Sequence, residues 1–322
     1  FHTWLPDAHV EAPTPASVIL AGVLLKMGTY GLLRFAIPLF PNAAVDLSLP
    51  ILGLAAIGVV WGSLCAYAQT DIKKLVAYSS VAHLGLVVIG LFVFTQEAVE
   101  GSILQMVNHG LSTGGLFLLV GVLYERRHTR AIDDYGGIAR IMKLYAFFLV
   151  VVTLSSIGLP GTNGFIGEFL ILAGTFRAAM AGPGGPDWVL FAIGAVAASG
   201  VVLGAIYMLT LVRKVLFGPV THEENRGLKD VSFREFAVLA SLLVFVFWIG
   251  VYPAPFLSRT TASVRAVLAT RPGAAIVTPA AVTPPSSPEA RRPPLIRPLP
   301  SHGAIRPLRQ AGPNAIRREV AR

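Results

Sequence analysis

The stretch from residue 144 to residue 180, LYAFFLVVVTLSSIGLPGTNGFIGEFLILAGTFRAAM, decides how this chain folds. It is apolar at both ends and too long for one membrane-spanning helix, which needs about 20 residues. Its centre, Gly158-Leu-Pro-Gly-Thr-Asn-Gly164, contains proline and glycine, the residues least suited to a helix interior. The stretch therefore predicts a helix broken at about 158–164. Unwound backbone is tolerated within a membrane only where it is buried in protein or lines a wet cavity, so the break indicates an ion pathway.

The rest of the chain has the composition of a membrane protein. Of its 322 residues, 54% are hydrophobic and 13% are charged, and the mean hydropathy is +0.67. A soluble domain has about 25% charged residues. The chain is therefore predicted to be an all-α, polytopic transmembrane helix bundle, in which residues 1–9 form the end of an earlier helix. Its other predicted spans are 14–40, 50–68, 74–95, 99–124, 188–216 and 236–252.

The sequence lacks the motifs of several classes of site. The single cysteine, Cys65, lies in an apolar stretch, so there is neither a disulfide framework nor a thiolate cluster for zinc or iron–sulfur. There is no glycine-rich phosphate loop, no HExxH motif and no Cys/His metal spacing. We therefore expect no redox site, cofactor or metal on this chain.

The net charge of +9 is concentrated at the C-terminal end. Residues 261–322 hold ten arginines against two glutamates, and 11 of the 23 prolines, but no aromatic residue. Such a segment cannot bury enough apolar surface to offset the entropy of ordering it. We expect residues 256–322 to be a disordered Pro/Ala/Arg-rich tail that follows a transmembrane domain of residues 1–255. Because the excess charge lies in this tail, it does not indicate a nucleic-acid partner.

Lysine and arginine are distributed unevenly between the two sides of the predicted bundle. Basic residues accumulate in cytoplasmic loops, so the richer side is predicted to face the cytoplasm. The loops on the other side contain only Arg177. Counting spans then places the tail on the outer face, where Arg259, Arg265 and Arg271 run against the same rule. The basic residues on the richer side are Lys73, Lys74, Arg126, Arg127, Arg130, Arg140, Lys143, Arg213, Lys214, Arg226, Lys229 and Arg234.

Four ionisable residues fall deep inside predicted spans: Lys26, His83, His109 and Glu168. A charge at the bilayer centre costs at least about 2.5–3.5 kcal/mol, so such residues normally face the bundle interior and serve a function. Lys26 is twelve residues from either end of the segment 14–38, too deep to reach the interface easily. A buried amine can exchange a proton, and histidine titrates near neutrality. The four residues are therefore predicted to conduct protons.

Each of the four residues also has a purely structural interpretation. Lys26 could form an ion pair inside the bundle, and each histidine could be a hydrogen-bonded packing residue. The polar surroundings of His109, Gln105-Met-Val-Asn-His-Gly-Leu-Ser-Thr, favour a functional role for it. Glu168 could simply complement the dipole of the helix that begins after the break. Because it follows unwound backbone, its carboxylate can also reach water while it stays in the membrane.

Five motifs occur along the chain in a distinctive order. They are Phe1-His-Thr-Trp-Leu-Pro-Asp-Ala-His-Val-Glu-Ala-Pro-Thr14, Leu24-Leu-Lys-Met-Gly-Thr-Tyr-Gly31, Gln69-Thr-Asp-Ile-Lys-Lys-Leu-Val-Ala-Tyr-Ser-Ser-Val-Ala-His83, Asn108-His-Gly110 and Gly158-Leu-Pro-Gly-Thr-Asn-Gly-Phe-Ile-Gly-Glu-Phe169. Together they resemble the antiporter-like subunits of respiratory complex I and the related Mrp antiporters. The resemblance covers essentially residues 1–255.

The resemblance implies a fold of fourteen helices in two inverted repeats, of which this chain would hold the end of the seventh helix and the complete second repeat. It implies that Lys26 is the central lysine, that His83 and His109 connect it onward, and that Glu168 lies near the exit to the outer face. An acid at the broken helix points to the M type, because the L- and N-type subunits and the Mrp homologues are expected to have lysine there. The first repeat, with the cytoplasmic half-channel, would precede Phe1, so the chain is expected to be a fragment.

The function implied by the resemblance is proton translocation by a membrane subunit of NADH:quinone oxidoreductase in a bacterial inner membrane. Its expected partners are the other membrane subunits, of L and N type, and the redox chemistry would belong to other subunits. A cation/proton antiporter subunit without a redox partner is the alternative function. A third interpretation is a scaffold that lost its activity with the first repeat.

Overall fold

The computed structural model describes residues 2–181, 185–220 and 222–270, and within these ranges the chain is all-α, as predicted. The connections contain short helical turns at Pro41–Asp46, Ile132–Asp134, Ile138–Ile141 and Glu223–Gly227. Between Asp71 and Ala131 the described residues form a single antiparallel bridge. The main helices are α1 (Trp4–Glu11), α2 (Thr14–Leu39), α3 (Ser48–Tyr67), α4 (Ile72–Phe92), α5 (Gln96–Arg127), α6 (Lys143–Ile157), α7 (Asn163–Met180), α8 (Trp188–Leu216), α9 (Phe233–Val251) and α10 (Ala254–Ala269).

Six of the described helices are long and apolar enough to cross a membrane: α2, α3, α4, α5, α8 and α9. They correspond to the predicted spans, with shifts of a few residues at their ends. Three of these helices begin earlier than predicted because polar side chains cap them. At the start of α5, Thr95 accepts a hydrogen bond from the backbone N–H of Ala98. Asp71 accepts hydrogen bonds from the backbone N–H groups of Lys73 and Lys74 at the start of α4. Ser232 and Glu235 form a capping box at the start of α9.

Helices α4 and α5 form the centre of the bundle. In their most apolar segments, 72% of α4 and 78% of α5 is buried, against 22% of α8 and 28% of α9. The peripheral helices expose large apolar side chains such as Val202 and Val244. Exposed apolar faces of this kind suit contact with lipid, so α4 and α5 are the helices best placed to carry a buried polar site.

The predicted broken helix is confirmed. α6 ends at Ile157 and α7 begins at Asn163. Gly158 and Gly161 have φ values of +81° and +93°, a left-handed conformation that glycine adopts without strain. The Asn108 side chain holds the start of α7 against α5 by donating to the Asn163 carbonyl at 2.7 Å. A hydrogen bond from the middle of α5, one of the two central helices, therefore holds the break in place.

Helix α2 contains two π-helical segments that the sequence analysis did not predict. They are Leu20–Leu24 and Leu32–Ala36, and they flank the α-helical turn that carries Lys26. π-Helical turns are rare and occur frequently at functional sites. The wider π-helical turn before Lys26 shifts the backbone carbonyl groups of that turn away from their α-helical positions. One of these carbonyl groups contacts the Lys26 side chain, as described below.

The charged loops gather at one end of the bundle. There, Arg126 pairs with Glu235 through two hydrogen bonds of 2.9 and 2.7 Å, and Lys214 pairs with Asp133 at 3.2 Å. At the opposite end, Arg177 pairs with Glu97. The loops predicted to be cytoplasmic therefore do share one end of the molecule.

The beginning of the predicted disordered tail is helical, so that part of the prediction was wrong. α10 runs from Ala254 to Ala269, and its Val264 is only 1% exposed. Val264, with Val267 and Leu268, packs into an apolar cluster shared with α2 to α5. The composition of the whole segment concealed this short apolar face, since arginine and proline dominate only further along. Residues 271–322, the remainder of the predicted tail, lie outside the described residues.

Candidate functional site

The four predicted site residues come together in the interior, on four different helices. Lys26 is on α2, His83 on α4, His109 on α5 and Glu168 on α7. Lys26, His109 and Glu168 are buried, and His83 is partly buried. Residues far apart in the sequence thus form one polar line that crosses the centre of the bundle.

Lys26 and His109 are in direct contact. The Lys26 Nζ atom lies 2.6 Å from His109 Nδ1, and it also donates a hydrogen bond to the Ala21 carbonyl. Ala21 belongs to the first π-helical segment of α2, where the backbone departs from α-helical geometry. The amine therefore has two acceptors at membrane depth, one of which is a titratable ring. Within this arrangement a proton can pass between the amine and the imidazole.

His83 and Glu168 form the second contact. His83 Nδ1 is 3.1 Å from Glu168 Oε1, and Gln105 Nε2 donates to the same oxygen at 3.0 Å. Gly158, at the end of α6, approaches the carboxylate from the other side: a Cβ at this position would lie 3.0 Å from Glu168 Oε2. The break thus brings unwound backbone and a carboxylate together, as the sequence analysis expected.

The two contacts are joined by the histidines. Their rings are 5.5 Å apart between centroids and meet edge to face, at 66°. His83 Nε2, His109 Nε2 and Asn108 Oδ1 are buried and have no hydrogen-bonding partner among the described residues. A small cavity beside them is lined by both histidines and by Ser112 and Ser155. It has room for about one water molecule, which could bridge the rings.

A second small cavity lies on the far side of His83. It is lined by His83, Glu168, Ser156 and Tyr207, among others. Tyr207, on α8, is buried. This cavity also has room for about one water molecule next to the carboxylate. Amine, imidazole, imidazole and carboxylate are therefore linked directly or across about one water, which is the spacing that proton transfer requires.

Buried polar side chains fix this geometry. Ser112 Oγ lies 2.7 Å from Ser155 Oγ, which donates to Asn163 Oδ1 at 2.6 Å, and Asn163 Nδ2 donates to the Asn108 carbonyl at 3.3 Å. These contacts tie α5, α6 and α7 together on both sides of the break. A buried network of this kind favours one arrangement of the helices, because the loss of any hydrogen-bonding partner would leave a buried polar atom unpaired.

Three contributors were not singled out as site residues from the sequence: Gln105, Asn163 and Tyr207. Gln105 lies four residues before His109 and so shares its helix face, a spacing that was visible in the polar run. Asn163 and Tyr207 touch the site through long-range packing, for which one sequence offers no signal. The roles of Lys26, His83, His109 and Glu168 remain predictions, as does the expected lack of a cofactor.

Residues 1–182 match the family described as "NADH:quinone oxidoreductase/Mrp antiporter, TM". The chain is 46% identical over 268 residues to NADH-quinone oxidoreductase subunit M of Rickettsia prowazekii, covering 83% of this chain and 52% of that protein. It is 49% identical over 253 residues to the subunit M of Rhodobacter capsulatus, covering 78% and 47%. It thus spans about half the length of the curated relatives it matches.

Two solved structures have the same fold. One is respiratory complex I from Thermus thermophilus with bound NADH, with a TM-score of 0.76, 33% identity, and coverage of 84% of this chain and 55% of that one. The other is the Mrp complex from Dietzia sp. DQ12-45-1b, with a TM-score of 0.73, 16% identity, and coverage of 83% and 56%. The second likeness concerns the fold alone. The antiporter-like helix bundle expected from the motifs is confirmed.

Proposed function

Because this chain belongs to the NADH:quinone oxidoreductase/Mrp antiporter membrane family, we propose that it is part of an M-type subunit that translocates protons for NADH:quinone oxidoreductase. It would act in a bacterial inner membrane, beside L- and N-type membrane subunits. The redox reaction that supplies the energy would take place on other subunits. The names of the relatives from Rickettsia and Rhodobacter support this assignment.

The observation that carries the proposal is the continuous polar line from Lys26 to Glu168. Its contacts measure 2.6 Å between Lys26 and His109 and 3.1 Å between His83 and Glu168. Its two histidines lie on α4 and α5, the most buried of the six spanning helices. Several ionisable groups inside a membrane cost free energy, and in membrane proteins such groups commonly form proton relays.

The line suggests an order of events in which Lys26 holds a proton and Glu168 releases it. A proton leaves the Lys26 amine for His109 and crosses to His83, directly or through a bridging water. His83 then delivers it to Glu168, beside the break in the α6–α7 stretch, from which it moves to the outer face. Coupling of this proton transfer to redox chemistry requires a neighbouring subunit with two states. The relative proton affinities of these groups must differ between those two states.

A cation/proton antiporter without a redox partner is the second candidate. The matched family includes Mrp antiporters as well as NADH:quinone oxidoreductase subunits, which supports it. The relatives named subunit M are 46–49% identical, and Glu168 stands where the resemblance leads us to expect lysine in Mrp homologues. These observations favour the redox-coupled function.

The proposal is tested by replacing Lys26 with alanine in the complete complex. Lys26→Ala removes the central amine and is expected to abolish the proton translocation that depends on this subunit. Lys74→Ala is a matched control, because Lys74 lies at the end of the bundle, 38% exposed and paired with Asp7 at 3.7 Å. Proton uptake by membrane vesicles during NADH oxidation, normalised to the amount of assembled complex, is the measurement. Unchanged uptake in Lys26→Ala would contradict the proposal.

A further inference from the structure

Gln105, on α5, contacts the carboxylate at the end of the proposed pathway. Its side chain is buried, and its Nε2 atom donates a hydrogen bond to Glu168 Oε1 at 3.0 Å. The same oxygen lies 3.1 Å from His83 Nδ1. Glu168 Oε2 has no hydrogen-bonding partner among the described residues. Both partners of this buried carboxylate therefore act on a single oxygen.

The Gln105 amide is oriented so that its N–H group faces the carboxylate. Its carbonyl oxygen accepts a hydrogen bond from Asn108 Nδ2 at 3.4 Å, and the same nitrogen donates to the Asn163 carbonyl at 2.7 Å. Gly167 of α7 packs so closely that a Cβ there would overlap this oxygen. A reversed amide would set donor against donor at Asn108 and acceptor against acceptor at Glu168. The network therefore fixes Gln105 as a donor to the carboxylate.

Gln105 differs from His83 because its amide donates in every protonation state. His83 Nδ1 donates only while it carries a proton, and it becomes an acceptor once that proton has passed to Glu168. When Glu168 then releases the proton, Gln105 is the remaining donor to the carboxylate among the described residues. A buried carboxylate without a donor is costly, and a hydrogen bond donated to the charged form favours that form.

Among the described residues, the titratable groups that face Glu168 are on two of the helices packed against α7. They are His83 of α4 and Tyr207 of α8, which both line the cavity beside the carboxylate. His109 of α5 lies beyond His83, with 5.5 Å between the ring centroids. Helices α6 and α9 meet the break with their last residues, whereas their titratable residues lie in their first turns, at Lys143, Tyr145, Arg234 and Glu235.

We propose that Gln105 is a positioning residue that enables Glu168 to release its proton after His83 has delivered it. The inference rests on the proposed function. In the release step the O–H bond of Glu168 breaks, and the proton passes to water in the cavity shared with Tyr207. Gln105 donates to the resulting carboxylate but neither gains nor loses a proton, and no electrons move. Through Asn108 the same amide is tied to the start of α7, so one set of hydrogen bonds holds the break and the carboxylate together.

Two substitutions made in the complete complex remove the donor. Gln105→Met keeps a side chain of similar length, and Gln105→Leu places a smaller apolar side chain there. Gln96→Met is the matched control, because Gln96 is on the same helix and its Nε2 atom donates to the Glu100 carboxylate at 2.8 Å, at the far end of α5 from the charged loops. Inverted membrane vesicles oxidising NADH are assayed at a series of lumenal pH values, since their lumen meets the outer face. The readout is the part of translocation, per assembled complex, that Glu168→Gln abolishes.

Without the donor, Glu168 holds its proton more tightly, so release needs a higher lumenal pH. A hydrogen bond to a charged group corresponds to about one to two pH units. We expect both Gln105 variants to move the midpoint of the pH dependence upward by that amount, and Gln96→Met to keep the wild-type midpoint. A structural role alone would lower translocation at every pH without moving the midpoint. An unmoved midpoint in Gln105→Met would overturn the inference, and Gln105→Leu decides in the same way if Gln105→Met fails to assemble. Full translocation by Glu168→Gln would instead overturn the proposed function.

Discussion

Substituting Gly158 with alanine tests whether the break in the α6–α7 stretch positions the carboxylate of Glu168. The φ of Gly158 is +81°, and an L-residue in the left-handed region costs about 1–2 kcal/mol. The new Cβ would also lie 3.0 Å from Glu168 Oε2, so the carboxylate must move by a few tenths of an ångström. Its contact with His83, 3.1 Å long, would then be stretched or misaligned.

Gly161→Ala is the matched control for this variant. Gly161 has a φ of +93°, but a Cβ there would meet nothing within 4 Å. Both variants therefore carry similar backbone strain, and only Gly158→Ala disturbs the carboxylate. Loss of a hydrogen bond to a charged group costs about 1.5–3 kcal/mol. If it is lost in the rate-limiting proton transfer, the rate falls by about 10- to 160-fold.

The assay is proton uptake by vesicles during NADH oxidation, together with the amount and thermal stability of the assembled complex. We expect both alanine variants to lose a similar amount of stability, and only Gly158→Ala to lose translocation beyond its loss of assembled complex. Equal translocation per complex in the two variants would refute the reasoning, because the contact with Glu168 would then have no functional consequence.

Two further predictions concern contacts that stabilise the bundle away from the site. A double-mutant cycle on Arg126→Gln and Glu235→Gln should give a coupling free energy of about 1 kcal/mol in unfolding experiments. The two side chains form two hydrogen bonds and are 16% and 22% exposed, so water screens the pair only in part. Zero coupling would contradict a stabilising role for this pair. Val264→Ala should destabilise the packing of α10 by about 1.6 kcal/mol, because two buried methyl groups are lost at about 0.8 kcal/mol each. Protection of α10 from proteolysis is the measurement, and Val251→Ala is the control because Val251 is 74% exposed. Equal effects of the two substitutions would contradict the packing of α10 on the bundle.

The spans and the break could be predicted from the sequence because their causes are local. Apolar stretches of about 20 residues have few alternatives to a spanning helix, and Gly158, Pro160 and Gly161 exclude a continuous helix wherever the chain folds. The depth of Lys26 and Glu168 followed from the same count of residues. What these side chains contact depends on packing between helices far apart in the sequence.

The features that escaped prediction depend on such long-range packing. Helix α10 forms where Val264 meets an apolar surface formed by α5 and α2, whereas the composition of the segment is dominated by later arginines and prolines. The π-helical turn before Lys26 changes the register of α2 without any proline to mark it. The sequence gives no sign that His9 is fully buried, because its burial depends on the packing of α1 against Phe117 of α5.

The most direct test of the central claim, that the line from Lys26 to Glu168 conducts protons, is proton translocation by Glu168→Gln. This variant keeps the size of the side chain and an acceptor for Gln105 and His83, but it cannot release a proton. Glu97→Gln is the control, because Glu97 pairs with Arg177 at the opposite end from the loops predicted to be cytoplasmic. We expect Glu168→Gln to assemble normally and to lose the translocation that depends on this subunit, while Glu97→Gln retains it. Translocation at the wild-type rate in Glu168→Gln would contradict the account.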